Sequence, residues 1–228
     1  MSHGGGFGSR WFTVAALVAV ALMLVSLAGC AGSCSPAGSG VLGSVGVGSS
    51  NGSDAITPQS IPDGKVVTGA GGKSASTFRS MWKLALPAAL KWQPDAYLVS
   101  ASAESSTKDG VPAAWMMVFR TNGPGGKDYR IWMDSTGKVT RTLATPADKA
   151  YGTHAVPVTV LDSDQAVAKA NEALKQRVNL AKTLGPRLGL GFMGDSGPYW
   201  FYMVMNTATG KLVTVTVDGV TGKIIAVK

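Results

Sequence analysis

The end of the chain alternates apolar and polar residues in the way that is typical of a half-buried β-strand. Val213, Val215 and Val217 are separated by two threonines, so one face of this segment is apolar and the other is polar. An apolar run from Trp200 to Met205 precedes it, across a turn-rich stretch. The pattern predicts an antiparallel hairpin with one buried face.

The same pattern occurs earlier in the chain. Trp115 opens the run WMMVF as Trp200 opens WFYMVM. In each copy a second strand segment follows and ends in a Thr-Gly-Lys turn, and the spacing from Gly137 to Gly222 equals that between the two tryptophans. A fixed spacing of this kind indicates an internal repeat.

The turns contain residues that suit tight hairpins. Asp134 and Asp218 can accept hydrogen bonds from the backbone of their own turns, and glycine supplies the positive φ that such turns need. Two further strand candidates precede the hairpins, at Tyr97 to Ala103 and at Arg187 to Met193. Each copy is therefore expected to form a small antiparallel sheet.

A helix candidate precedes the strands of the second copy, from Ser163 to Ala181. Its apolar residues recur at spacings of three and four and form one face. Asp162 is the expected N-cap, and Gln165 would complete a capping box three residues later. Gly185-Pro186 ends the helical pattern.

The first copy has a less regular helix candidate. Ser76 or Thr77 is the candidate N-cap, and Phe78 and Trp82 begin an apolar face. Pro87 must break or kink this helix, or begin a second short one. Both copies thus place a helix before strands that have one apolar face, and each element needs the other to cover that face.

The sequence therefore predicts an α+β fold with two repeated units, each of one helix packed on a small antiparallel sheet. Unit 1 covers 74–145 and unit 2 covers 158–228. Residues 30–73 are rich in Gly, Ser and Ala and contain no aromatic residue, which predicts a flexible tether. Residues 1–29 have the pattern of a signal peptide, since Arg10 precedes an uncharged apolar run that ends in small residues.

Leu27-Ala28-Gly29-Cys30 resembles the lipobox of bacterial lipoproteins. In that family the cysteine thiol receives a diacylglycerol, and the chain is cut just before the cysteine. The resemblance implies that Cys30 is the lipidated N-terminus and that the protein is anchored to a membrane of the cell envelope, facing outside the cytoplasm. An uncleaved membrane anchor is the alternative. Cys34 is then a free thiol, an intermolecular disulfide partner or a linker residue.

The charge balance is basic. The chain has 21 Lys and Arg against 13 Asp and Glu, a net charge of +8. Arg10 is the only one of these charged residues that precedes Cys30. Such a balance favours anionic surfaces such as lipid headgroups, acidic polymers or nucleic acid. The basic residues are scattered, which is typical of a solvated surface, and an exported protein is not expected to meet nucleic acid.

The order of a helix, then strands, then a closing V-x-V-D-x-x-T-G-K-I-I turn resembles a PepSY domain. PepSY domains are small α+β modules of exported proteins, first noted in the propeptides of secreted peptidases. The resemblance is best over Ser163 to Lys228 and weaker over Ser76 to Arg141. It implies modulation or inhibition of a peptidase, or a binding role at the cell surface, and it implies no catalytic residues.

The residues themselves give little support for catalysis. After the signal segment the single histidine is His154, in a segment expected to join the two units, so a Ser-His-Asp triad would depend on it. No group of His, Cys or carboxylate residues has the spacing of a zinc site. The Gly-rich stretch 123–127 lacks the spacing of a phosphate loop. We expect no enzymatic activity, no cofactor and no metal site.

Trp132 is a candidate contact residue. It alternates with Ile131 and Met133 and lies on the side of Arg130, where it is either covered by the helix or exposed, with Arg130, to a partner. The aromatic residues expected in the core are Trp115, Trp200, Phe201 and Tyr202. The leading hypothesis is a lipoprotein that binds a protein partner such as a peptidase. The alternative is a lipoprotein that binds a small ligand or an envelope polymer in the cleft between the units.

Overall fold

The computed structural model of the chain describes residues 56–68, 72, 74–105, 112–122 and 126–228. The predicted signal segment, Cys30 and Cys34 lie outside these ranges. Within them the elements are β1 (Val66–Thr68), β2 (Ser74–Ser76), α1 (Phe78–Trp92), β3 (Tyr97–Ser105), β4 (Pro112–Arg120), β5 (Lys127–Asp134), β6 (Val139–Pro146), α2 (Ser163–Lys175), β7 (Thr183–Met193), β8 (Ser196–Asn206), β9 (Lys211–Asp218) and β10 (Ile224–Val227).

Eight of the strands form one antiparallel sheet in the order β10-β9-β8-β7-β3-β4-β5-β6. The predicted α+β class is confirmed, but the sheet is larger than predicted: one continuous sheet stands where two small sheets were expected. The two groups of strands join where β3 pairs with β7, with Ala103 opposite Leu188 and Ala101 opposite Leu190. This pairing covers two strand edges that separate sheets would leave with unpaired backbone groups.

Both helices pack on the same core. Helix α1 contacts β4 and β5, and α2 contacts β8, β9 and β10. Phe78 lies at the centre, with its ring centroid 5.2 Å from that of Trp200 and 6.1 Å from that of Trp115. Both tryptophans are fully buried, as predicted, and so is Tyr202. Phe201 was predicted in the core but lies on the opposite face of the sheet, because it alternates with these two residues along β8.

Helix α2 begins as predicted and ends earlier. Asp162 and Gln165 form the capping box. The last helical residue is Lys175 instead of Ala181. The backbone N–H groups of Arg177 and Val178 both donate to the carbonyl of Leu174, which closes the last turn. In α1 the helix continues through Pro87 without a break. No helix within the described ranges is long and apolar enough to cross a bilayer.

The N-termini of the two helices meet at one buried carboxylate. Asp162 Oδ1 accepts hydrogen bonds from the backbone N–H groups of Ser163 (2.8 Å) and Arg79 (3.0 Å), and Oδ2 accepts from the Thr77 hydroxyl (2.6 Å). Thr77 occupies the N-cap position of α1, but its side chain makes no capping bond. The Ser163 hydroxyl accepts from the N–H of Phe78 instead. The start of α2 therefore caps both helices.

Packed structure begins before the boundary drawn at residue 73. Ile61 is 1% exposed and belongs to the core. The backbone of Lys65 is hydrogen-bonded to Thr77 in both directions, through its N–H to the hydroxyl (2.7 Å) and through its carbonyl to the N–H (2.8 Å). A Cβ on Gly64 would come within 2.3 Å of the backbone nitrogen of Ser80. Residues 56–68 thus pack against the start of α1, which composition alone does not predict.

Candidate binding face of the sheet

The sheet face opposite the helices carries a straight row of one residue from each strand. Neighbouring residues along a strand face opposite sides of the sheet. Ile131 and Trp200 are buried in the core, so Trp132 and Phe201, together with their cross-strand partners, lie on the opposite face. From β10 to β6 the row contains Ala226, Thr216, Phe201, Gly189, Ser102, Met116, Trp132 and Arg141. We call this side of the sheet the open face.

Small residues line the middle of the open face. Gly189 and Gly191 on β7 lie beside Ser102 and Ser100 on β3. A Cβ on Gly189 would be 3.9 Å from its nearest neighbour and one on Gly191 would be 3.8 Å away, so a methyl group would fit at both positions. Neither glycine has a positive φ. Gly191 adjoins a register shift of the β7–β8 pairing, where glycine is common, but neither packing nor backbone conformation requires glycine at Gly189. The small residues leave a shallow trough in the middle of the open face.

Larger apolar side chains stand on both sides of the trough. Tyr199, Phe201 and Met203 project from β8, and Met116 and Trp132 project from β4 and β5; all five are partly exposed. The Tyr199 and Phe201 rings meet edge to face, with centroids 6.4 Å apart. Aromatic residues and methionine are enriched in the centres of protein interfaces. The open face therefore has the composition of a contact surface.

The two predicted contact residues, Trp132 and Arg130, differ in their surroundings. The helices do not cover Trp132, which is half-buried on the open face with the Arg141 guanidinium 4.8 Å above its ring. Arg130 lies on the same face but is engaged by the segment that follows β6, with Asp148 at 3.5 Å and the Tyr151 ring at 5.2 Å. Trp132 is thus the better placed of the two for contact with a partner.

The segment that follows β6 covers one end of the open face. Arg120 and Asp128 form a buried ion pair there, with Nε to Oδ1 at 2.8 Å and Nη2 to Oδ2 at 3.1 Å. The guanidinium also donates to the carbonyls of Asp148 and Gly152, and the Asp148 N–H donates to the Asp128 carboxylate (2.8 Å). Both charged groups therefore have hydrogen-bond partners, and the segment after β6 closes this end of the open face.

The predicted turns form as expected. Gly137 has φ of +90° and Gly222 has φ of +73°. Asp134 Oδ1 accepts from the N–H groups of Thr136 and Lys138, and hydrogen bonding by the Thr136 hydroxyl lowers the pKa of Asp134 below 3.8. The pKa of Asp218 is lowered as well, first by the hydrogen bond from the backbone of Thr221. Both carboxylates are occupied by their own turns.

His154 is an exposed residue, as expected for a connecting segment. Its Nε2 lies 3.2 Å from Asp195 Oδ1, and its ring is 5.6 Å from that of Phe192. Among the described residues no group of three His, Cys, Asp or Glu side chains is placed to hold a metal ion.

A shallow pocket of about 270 Å³ lies at the β5–β6 edge, lined by Lys127, Ala144, Thr145 and Pro146. The sequence suggested a ligand cleft between the two units, but the units are joined there by the pairing of β3 with β7. What lies on the open face at that junction is the trough. One sequence signal could have revealed it, since in RLGLGF the glycines fall on one face and the leucines on the other.

Comparison with known proteins adds little. No protein-family model matches the chain, and no curated protein matches it. A crystal structure of a protein of Clostridium difficile 630 that carries the designation of a lipoprotein, CD1622, matches 63% of this chain and 89% of its own, with 14% sequence identity and a TM-score of 0.42. A likeness at that level carries no conclusion about fold or function.

Proposed function

We propose that the chain is a lipoprotein of the cell envelope, anchored through Cys30, that binds a protein partner on the open face and modulates a peptidase without catalysing a reaction itself. The anchor rests on the Leu27-Ala28-Gly29-Cys30 motif. The binding role rests on the open face. The link to a peptidase rests on the resemblance to PepSY domains.

Equivalent contacts support the interpretation as two PepSY-like units in tandem. The Trp115 indole donates to the carbonyl of Ser76 (3.2 Å), and the Trp200 indole donates to the carbonyl of Leu161 (3.1 Å). The N–H of Ser76 donates to Ser135, and the N–H of Leu161 donates to Gly219, each just after the aspartate of a turn. The partners thus recur at almost the same spacing as the two tryptophans.

The observation that carries the binding role is Gly189 in β7. Glycine within a strand weakens it, since it loses more backbone freedom on folding and has no side chain to pack. Gly189 has room for a methyl group and an ordinary φ, whereas Gly191 adjoins a register shift of the β7–β8 pairing, where glycine is common. Glycine away from a bulge is expected where a second molecule approaches the backbone closely. Flanking Phe201 and Trp132 would hold that molecule on either side.

The proposal is tested with a photoreactive amino acid in place of Phe201 in the full chain, in its native membrane. The control carries the same group in place of Leu84, which is 52% exposed on α1, on the helix side of the molecule. We expect a protein adduct from position 201 that is absent from position 84. If the captured protein is a peptidase, its activity should change when the chain is added, and Trp132→Ala with Phe201→Ala should abolish that change.

Other outcomes contradict the proposal. Equal adducts from positions 201 and 84 would remove the open face as the binding site. A glycan or a small molecule attached at position 201, with no protein, would favour the alternative of an envelope-polymer or small-ligand binding lipoprotein.

A further inference from the structure

Three large apolar side chains form an exposed cluster at one end of the sheet, where β7 and β9 begin and β8 ends. Leu184 is 49% exposed, Met205 48% and Leu212 43%. Met205 is the direct cross-strand partner of both leucines, so the three side chains stand next to each other on the open face. We call this cluster the tip. It lies at the far end of the sheet half that α2 covers, beside the Thr207–Gly210 turn.

The corresponding place in the other half of the sheet has the opposite character. Arg120 ends β4 and pairs with Asp128 of β5, as Met205 near the end of β8 pairs with Leu212 of β9. The charged pair is 6% and 0% exposed, because the segment after β6 covers it. The apolar pair has no such cover within the described residues. Buried charge and exposed apolar surface are the two informative departures from normal residue burial.

The stretches of chain that contain the tip are basic. No acidic side chain occurs between Glu172 and Asp195 or between Asp195 and Asp218. The basic residues of these stretches, all of them exposed, are Lys175, Arg177, Lys182, Arg187 and Lys211. Among the described residues Glu104 is the cross-strand partner of Arg187, so the basic rim of the tip consists of the other four.

From this combination we infer that the tip docks on an anionic lipid surface, with Leu184, Met205 and Leu212 inserted among the headgroups and the basic rim on the lipid phosphates. Apolar side chains bordered by Lys and Arg suit this boundary, because the lipid interior accepts the former and the anionic headgroups attract the latter. A protein partner that covered the tip would instead need acidic groups opposite the four cations of the rim.

The position of the lipid attachment makes this contact reachable. Residues 31–55 separate the proposed anchor at Cys30 from Ile56, the first described residue. Fully extended, such a segment spans at most on the order of 90 Å. The diacylglycerol proposed at Cys30 carries two acyl chains, which already give stable attachment. The tip would therefore not add the anchor but would fix the orientation of the open face relative to the membrane.

The test uses the full lipidated chain in vesicles that contain phosphatidylglycerol, with p-benzoylphenylalanine in place of Leu212. The matched control carries it in place of Val220, which is also 43% exposed but lies in the turn that follows the opposite end of β9. We expect a phospholipid adduct at position 212 that is about fivefold or more above that at position 220. Lys182→Glu with Lys211→Glu should lower it by about 25-fold or more, since each basic residue near such a surface changes affinity about fivefold.

Three results would overturn the inference. These are equal phospholipid adducts at positions 212 and 220, an adduct at position 212 with a protein instead of a lipid, and an equal yield in vesicles of phosphatidylcholine alone. Flotation of the chain with the vesicles reports the anchor at Cys30 separately, so loss of the anchor and loss of the tip contact are distinguishable. The two charge reversals are at exposed positions, and an unchanged circular dichroism spectrum would show that they leave the fold intact.

Discussion

The two halves of the sheet share a strand order but differ where their hairpins end. In the first half, Arg120 and Asp128 are buried beneath the segment that follows β6. In the second half, Met205 and Leu212 are exposed, and no segment among the described residues covers them. The connection between the halves therefore covers the first half as well as linking it to the second. The half without a cover has the surface that we assign to the membrane.

Breaking the buried ion pair is expected to have the largest effect on stability. Arg120→Met leaves the Asp128 carboxylate buried without its guanidinium and leaves two carbonyls without their donor. Removing one partner of a buried pair costs about 3–5 kcal/mol, so the free energy of unfolding measured in urea should fall by that amount. Met205→Ala, at the corresponding place, should cost less than about 1 kcal/mol.

A double variant sharpens this comparison. Arg120→Met with Asp128→Leu places the residues of the second half in the first half and removes the uncompensated charge. It should recover part of the loss, because the backbone groups of Asp148 and Gly152 would still lack their partners. Similar losses of unfolding free energy for Arg120→Met and Met205→Ala would show that the first pair is not buried more deeply than the second.

The junction of the helices is expected to show the next largest effect. Asp162→Ala removes acceptors from the N-termini of both α1 and α2, and one capping side chain contributes about 1 kcal/mol. With the Thr77 hydroxyl also left without its acceptor, the expected loss in urea unfolding is about 2–3 kcal/mol. Asp164→Ala is the control, since Asp164 pairs with the exposed Lys65 and accepts one backbone N–H, that of Gln165, at the start of α2 alone, so its loss should cost about 1 kcal/mol. Equal losses would remove the special role of Asp162.

The trough gives a smaller effect with the opposite sign. Gly189→Ala fits the available space and lowers the entropy of the unfolded chain, so the free energy of unfolding should rise by about 0.5–1 kcal/mol. The same variant should weaken partner capture from position 201. Ser102→Ala, across the trough, is the control and should leave binding closer to wild type. A variant that is more stable and binds normally would show that the glycines do not serve binding.

The turns should give the smallest effect, visible in the pH dependence of unfolding. The pKa values of Asp134 and Asp218 are lowered in the folded state, so the folded protein binds fewer protons than the unfolded chain near 3.8. Their stabilisation is present above that pH and is lost as the pH falls through the folded values. Asp134→Asn and Asp218→Asn should each flatten the decline of the urea midpoint below about pH 4. An unchanged slope in both variants would contradict the assignment.

Local patterns predicted the features that depend on neighbouring residues. The capping box of Asp162 and Gln165 follows from a spacing of three, and the buried face of β9 follows from the alternation of Val213, Val215 and Val217. The spacing of Trp115 and Trp200 predicted two residues with equivalent surroundings. The capping box and the alternation are determined within one helix turn or one strand, and the tryptophan spacing is a repetition within the sequence, so the sequence displays all three directly.

Features that depend on distant residues could not be predicted in this way. The run WFYMVM is apolar on both faces, so nothing in it distinguished Phe201 from Trp200. Ile61 is flanked by polar, Pro and Gly residues from Thr57 to Lys65, and no local periodicity marks it as a core residue. The pairing of β3 with β7 joins segments that lie far apart in the chain, one in each unit. In each case the partner, and not the local pattern, decides the outcome.

The contact between Thr77 and Asp162 bears on how such a molecule could arise from two copies of one ancestor. These two residues touch each other, and β3 and β7 pair about Ala103 and Leu188, which are separated by the same distance along the chain. Equivalent positions therefore face each other, as they do across the dyad of a homodimer. Two identical copies would bring two threonines or two carboxylates together, and the second combination is repulsive. If the two halves descend from copies of one ancestor, joining them in one gene would let the two sides diverge, so that one donates the hydrogen bond and the other accepts it.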